Sequence, residues 1–174
     1  MCSLEPLKID LKGLKQGLNS FEFDLDDAYF KAIDAPEVHR GNVHLALSVE
    51  RVGDFFTFVF KEKGVVVIPC DICLDDMEQE IEAENELAAK FGEEYSEGDD
   101  CVIVAENEGM LDIAWLAYEF IALAIPIRHV HTPGKCNPAM ISVIEQHTAA
   151  RSGEAMEETV DPRWSKLQNL KLEE

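Results

Sequence analysis

Cys70 and Cys73 stand three residues apart at the end of the run Val65–Asp76, VVVIPCDICLDD. Two thiolates at this spacing can grip one metal ion or close a small disulfide. A structural zinc site takes four ligands, and cysteine also buries readily as a small hydrophobe. Structural cysteines, a metal site and a redox pair are therefore all readings of this motif. Further soft ligands lie in Arg128–Asn137, RHVHTPGKCN, which carries His129, His131 and Cys136. The candidate ligand set is Cys70, Cys73, His131 and Cys136. The same segment also reads as an exposed loop.

Whatever Cys70 and Cys73 do depends on the elements that present them. Val65–Ile68 is an apolar β-branched run between Gly64 and Pro69, the pattern of a buried strand. Before it, Asn42–Val52 alternates, with Val43, Leu45, Leu47 and Val49 on one face. Gly53-Asp54 turns the chain, and Phe55–Glu62 returns with Phe56, Phe58 and Phe60 on one side. Three consecutive strands with tight turns predict an antiparallel meander. Asp75–Gly92 is rich in Glu and Ala, which favours helix. Its apolar residues alternate instead, at Ile81, Ala83, Leu87, Ala89 and Phe91, so we read a long strand. A redox CxxC normally opens a helix, whose N-terminus lowers a thiol pKa. A CxxC between two strands has the setting of a zinc knuckle or a plain structural turn.

The remaining elements follow from the same patterns. Leu7–Lys12 alternates as an edge strand with Leu7, Ile9 and Leu11 inward, and Phe21–Leu25 alternates again. Asp26 offers an N-cap for a short helix to Ile33. Cys101–Ala105 is a further strand. Asp112 can cap the helix Ile113–Ile125, which Pro126 ends. This helix is apolar nearly all round, so burial on most sides is expected. Its one charge, Glu119, reads as a carboxylate at the surface or satisfied by neighbouring donors. Pro138 starts a helix to about Ala149, with Met140, Ile141 and Ile144 inward. Residues 151–160 read as a polar linker. Asp161-Pro162 then starts a short amphipathic helix with Trp164, Leu167 and Leu170 at helical spacing.

The chain of 174 residues is long enough for one domain that buries roughly 70 % of its unfolded surface. Its apolar content of 47 % is that of a folded protein. No run is long and apolar enough to cross a bilayer, and the N-terminus has no apolar core of a signal peptide. Five cysteines in such a chain predict a reducing compartment, hence the cytoplasm. The net charge of −20 is unevenly placed: residues 71–112 carry sixteen Asp and Glu against Lys90 alone. Such a surface repels bare phosphate backbone, whose affinity for proteins comes from Lys and Arg. It suits a solvated face or a docking face for a basic partner. No phosphate loop, GxSxG or HExxH is present, which argues against an enzyme.

Five pieces, in order, carry a resemblance to a known family: FEFDLDDAYF, the paired strands of Asn42–Phe60, IPCDICLDD, LDIAWLAYEFIALAIPI and the terminal DPRWSKLQNL. Together they resemble the YceD-like family of large ribosomal RNA subunit accumulation proteins. The resemblance implies a small cytoplasmic α+β protein, not known as an enzyme and linked to accumulation of large-subunit ribosomal RNA. By motif position it singles out Cys70, Asp71, Cys73, Glu119, Asp161, Pro162, Arg163 and Trp164. The family usually has Arg where Ile72 stands. Many members carry a second cysteine cluster just before the terminal DPR segment, of which Cys136 alone remains here.

These readings converge on an α+β fold: a mostly antiparallel β-sheet meander with one buried helix and two peripheral C-terminal helices. The expected organisation is a single domain over residues 1–150, a linker at 151–160 and a C-terminal helix at 161–174. The expected function is non-enzymatic: binding a basic ribosomal protein or a large-subunit precursor particle, with no membrane involved. Direct contact with RNA would fall to Arg128, Arg151, Arg163 and Lys166. The alternative is a metal-binding or thiol-redox module centred on the CxxC. No resident cofactor is expected, because a complete ligand set is hard to find in the sequence; zinc is the candidate should the four residues meet.

Overall fold

A computed structural model describes residues 4–98 and 101–148. The chain divides into two compact units, Met1–Ile141 and Ser142–Glu174. The expected linker at 151–160 and helix at 161–174, with Asp161, Pro162, Arg163 and Trp164, lie outside the described residues.

The first unit is built on the long central strands. β3 (Arg40–Val52), β4 (Phe55–Pro69) and β5 (Asp76–Gly92) form an antiparallel meander; Phe55–Glu62 and Val65–Ile68, expected as two strands, are one continuous strand, because Gly64 stays in register between Val43 and Ile81 and makes no turn. β2 (Gly17–Leu25) joins one edge, antiparallel to β3. On the other side, β7 (Val102–Ala105) pairs parallel with β5, and β6 (Ser96–Glu97) pairs antiparallel with β7. The order is β2-β3-β4-β5-β7-β6, an α+β architecture with one parallel pairing in the sheet. The sequence 76–92 is a strand despite its helical propensity. Its registered pairing with β4 runs from Pro69↔Asp76 to Phe55↔Lys90, and alternation buries Ile81 and Ala89 on the core face.

Leu7–Lys12 departs from the edge-strand expectation in its partner. β1 (Lys8–Asp10) stands outside the main sheet and pairs with β8 (Met110–Asp112). Leu7, Ile9 and Leu11 are nevertheless buried, as the alternation requires.

One face of the large sheet carries the core. Val43, Leu45, Leu47 and Val49 of β3 and Phe56, Phe58 and Phe60 of β4 are all buried there. α1 (Asp27–Ala32) contributes Tyr29 and Phe30; its first turn is capped by the Asp26 carboxylate, which accepts from the Ala28 and Tyr29 amides. Gly64 is required by packing: a Cβ there would collide with the β3 backbone at Asn42 and Val43. The same period-2 pattern that buries the phenylalanines also buries Glu62, at 1 % exposure. Neither of its carboxylate oxygens has a hydrogen-bond partner among the described residues.

α2 (Ala114–Ala124) begins where the Asp112 Oδ1 accepts from the Ala114 amide at 2.9 Å. It is covered on most sides, with one exposed stripe at Trp115, Glu119 and Leu123. Ala114, Ala117, Tyr118 and Ile121 are buried, Leu116 and Phe120 are half-buried, and Trp115 and Leu123 are exposed. The exposed stripe is the side turned away from the sheet. Glu119 lies on the outer side, where it accepts a hydrogen bond from Trp115 Nε1 at 2.8 Å. α3 (Pro138–His147) leaves Met140 and Ile141 half-buried and Ile144 exposed, against the inward placing expected of all three. In the second unit, the described end of this helix is closed by the Thr148 amide donating to Ile144 O at 2.7 Å.

Candidate functional site

The residues between β4 and β5 form a tight turn, not a helix N-terminus. The Cys70 amide donates to Asp75 O, and the Leu74 amide donates back to Cys70 O, both at 2.9 Å. Leu74 closes the turn with φ +63°, a left-handed conformation that side chains rarely adopt. The Ile72 amide points at Cys70 Sγ, 3.5 Å away. Cys70 and Cys73 are both buried.

The segment after α2 folds back onto this turn. Asp71 exchanges backbone and side-chain hydrogen bonds with His129: its amide donates to His129 O at 3.0 Å, and its Oδ2 accepts from the His129 amide at 2.7 Å. His129 Nε2 also lies 3.3 Å from Asp71 Oδ1. At the far end of the segment, Asn137 Nδ2 donates to Asp75 Oδ2 at 3.1 Å. These contacts deliver His131 and Cys136 to the turn from opposite ends of one loop.

The result is a convergent cluster. Cys70, Cys73, His131 and Cys136 place one ligand atom each within 4.8 Å of one another. Cys70 Sγ is 4.0 Å from Cys136 Sγ, and His131 Nδ1 is 3.4 Å from Cys73 Sγ and 4.0 Å from Cys136 Sγ. All four sequence candidates are thus brought together, although the missing cysteine partner argued that a full set would not form. His129, the other histidine of the segment, serves as a clamp on Asp71 and is not part of the cluster. Cys101 is apart from it, with its thiol donating to Val102 O.

The thiols differ in acidity. Burial pushes the Cys70 thiol up, but amide and imidazole hydrogen bonds from Cys73, Ile72 and His131 outweigh it and bring it down to about 6. Burial, reinforced by the neighbouring Cys70 and Cys73 sulfurs, pushes Cys136 the other way. Such a group of soft donors is suited to a thiophilic cation.

A second feature lies on the sheet face opposite the core. Register and alternation put Glu78, Glu80, Glu82, Glu84 and Glu86 of β5 on one exposed face, at two-residue steps of roughly 7 Å. Lys63 meets Glu82 at 3.2 Å, and Lys61 meets Glu84 at 3.1 Å. Glu78, Glu80 and Glu86 instead stand across from Val67, Val65 and Val59. Further across the same face lie Glu22 and Asp24 of β2, in register with Ala46 and His44. Five of the sixteen acidic residues of 71–112 thus form a ladder on one surface. Arg128, the described member of the candidate RNA-contacting group, is exposed; Arg151, Arg163 and Lys166 lie outside the described residues. No described helix is long and apolar enough to cross a membrane.

Neither the curated proteins nor the solved structures include a match to this chain. A family model does match, over residues 59–171, from the middle of β4 through the cysteine turn and the α2 segment to the terminal DPR motif. That span contains all four residues of the cluster and the glutamate ladder. By this match the chain belongs to the family described as large ribosomal RNA subunit accumulation protein YceD.

Proposed function

We propose that this protein supports accumulation of large-subunit ribosomal RNA without catalysing a reaction, by holding a basic protein of the large subunit on its acidic sheet face. The observation that carries this reading is the glutamate ladder of β5, whose members Glu78, Glu80 and Glu86 face valines across the strand pair. Adjacent carboxylates about 7 Å apart repel by roughly 0.6 kcal/mol in water, before screening by salt. A lysine or arginine side chain seated between them removes that repulsion and adds attraction. A flat, open sheet surface can accept an extended basic segment in this way. The same field repels naked RNA. Ribosomal proteins are strongly basic and need their charge shielded before they meet RNA, which gives such a surface a task in the pathway that the family name describes.

The test compares binding of the full chain to purified large-subunit proteins and to naked large-subunit RNA, at low and moderate salt. The expected result is protein binding that weakens with salt and is reduced in a Glu78→Gln/Glu80→Gln/Glu86→Gln variant. Tight binding to naked RNA, unchanged when Arg128, Arg151, Arg163 and Lys166 are neutralised, would overturn the proposal. A metal-binding role is favoured by a separate observation, the thiol–imidazole cluster.

A further inference from the structure

We infer that Cys70, Cys73, His131 and Cys136 form a structural zinc site that clips the 129–137 segment to the β4–β5 turn. The ligand spacings fit a tetrahedral ion. With Zn–S of about 2.3 Å and Zn–N of about 2.0 Å, tetrahedral angles set ligand edges at about 3.8 Å for S···S and about 3.5 Å for S···N. The observed edges are 4.0 Å for Cys70–Cys136, 3.4 Å for Cys73–His131 and 4.0 Å for Cys136–His131. These three of the six edges lie within about 0.5 Å of the tetrahedral value, and all four donor atoms lie within 4.8 Å of one another, so closing on an ion takes shifts of about 1 Å or less.

The turn itself has the construction that a chelating pair needs. Its two cysteines are fixed by the paired Cys70–Asp75 and Leu74–Cys70 backbone bonds, and the Ile72 amide is directed at Cys70 Sγ, where it can stabilise a metal-bound thiolate. The other two ligands arrive on a loop anchored on both sides, by Asp71–His129 before His131 and by Asp75–Asn137 after Cys136. The loop is thus held in place by contacts outside the ligand set, so the ion meets a largely formed site.

The donor set chooses among metals. Three thiolates exclude magnesium and calcium, which take oxygen ligands. Four protein ligands fill a tetrahedron and leave no open position, which marks a structural and not a catalytic zinc. Binding releases the thiol protons, and the ion takes their place between the sulfurs. The segment it would secure lacks strand pairing and lies beyond the end of α2, so the ion would add a tie between the two anchored ends.

The test uses the full chain, purified reduced and free of chelators. Elemental analysis should give about one zinc per chain. After removal of zinc, cobalt(II) should give intense visible bands of a tetrahedral ion and a thiolate-to-cobalt charge-transfer band in the near ultraviolet. Cys136→Ser and His131→Gln change residues outside the strands. They should weaken zinc binding by more than about 100-fold, beyond the loss expected for an outer-shell partner. Cys101→Ser should leave it unchanged. The cobalt spectrum of the unaltered chain decides the question even where a variant does not fold. A folded, reduced chain that binds neither zinc nor cobalt stoichiometrically would overturn the inference. So would iron with sulfide in place of zinc, or equal loss of metal in Cys101→Ser. Metal content is read on the isolated chain, so its outcome is independent of binding to ribosomal components.

Discussion

Replacing Glu62 by methionine should make the protein more stable, increasingly so as the pH rises. Glu62 sits on the core face of β4, in register with Leu45 and Ala83, and is 1 % exposed. Burial without a compensating hydrogen bond pushes its carboxyl from 4.5 up to about 8. The folded state therefore keeps the proton between those limits while the unfolded chain has released it. Unfolding then releases a proton, so rising pH favours the unfolded state, by roughly 1.4 kcal/mol per pH unit. The penalty is absent below about pH 4.5, reaches roughly 3 kcal/mol at pH 7 and levels off near 5 kcal/mol above pH 8. This is a large share of the 5–15 kcal/mol that holds a typical domain together. Glu62→Met keeps the length of the side chain and removes the ionisation. Urea unfolding of both proteins at pH 5, 6.5 and 8 gives the difference, in which the thiols and histidines common to both cancel. The variant should gain a few kcal/mol at pH 8 and much less at pH 5. A difference that stays constant with pH, or a variant less stable than its parent at pH 8, would refute the placement of a lone carboxyl in this core.

Four further substitutions test the packing and the turn. Gly64→Ala should cost at least about 1–3 kcal/mol, because its Cβ meets β3 backbone that cannot step aside; an unchanged thermal midpoint would contradict this. Ile121→Ala should cost roughly 2–5 kcal/mol. Phe120→Ala should cost less than its size suggests, since Phe120 is half-buried and packs on Phe60 at one edge, 5.0 Å between ring centres. Denaturant midpoints that rank the two in reverse would count against Ile121 lying deeper than Phe120. Leu74→Gly should raise stability by about 0.5–1 kcal/mol, the strain of the left-handed turn less the greater chain freedom of glycine. A melt showing loss instead would mean that the exposed Leu74 side chain makes a contribution that its surroundings do not reveal.

Local alternation and punctuation were enough to read the strand Asn42–Val52, the two halves Phe55–Glu62 and Val65–Ile68 of β4, and the strand over 75–92, but the same punctuation placed a break at Lys63-Gly64 that the fold does not make. A half-buried strand writes its two faces into the sequence at period two. The same period made Glu62 legible in principle, as the next inward position after Phe56, Phe58 and Phe60, and it also placed the β5 glutamates together. The thiol pair announced itself by spacing, and His131 and Cys136 by residue type. Their meeting with Cys70 and Cys73 was decided only by the tertiary fold. About 60 residues of chain separate the two halves, and no local rule links them. The link is made by hydrogen bonds such as Asp71–His129 and Asn137–Asp75. Partner choice also brought β1 to β8, away from the main sheet. For α2, the sequence carries apolar residues all round, but only the placement of the sheet decides which of them are covered. Alternation and spacing are short-range properties of the chain; convergence and coverage depend on which distant surfaces come to lie against each other.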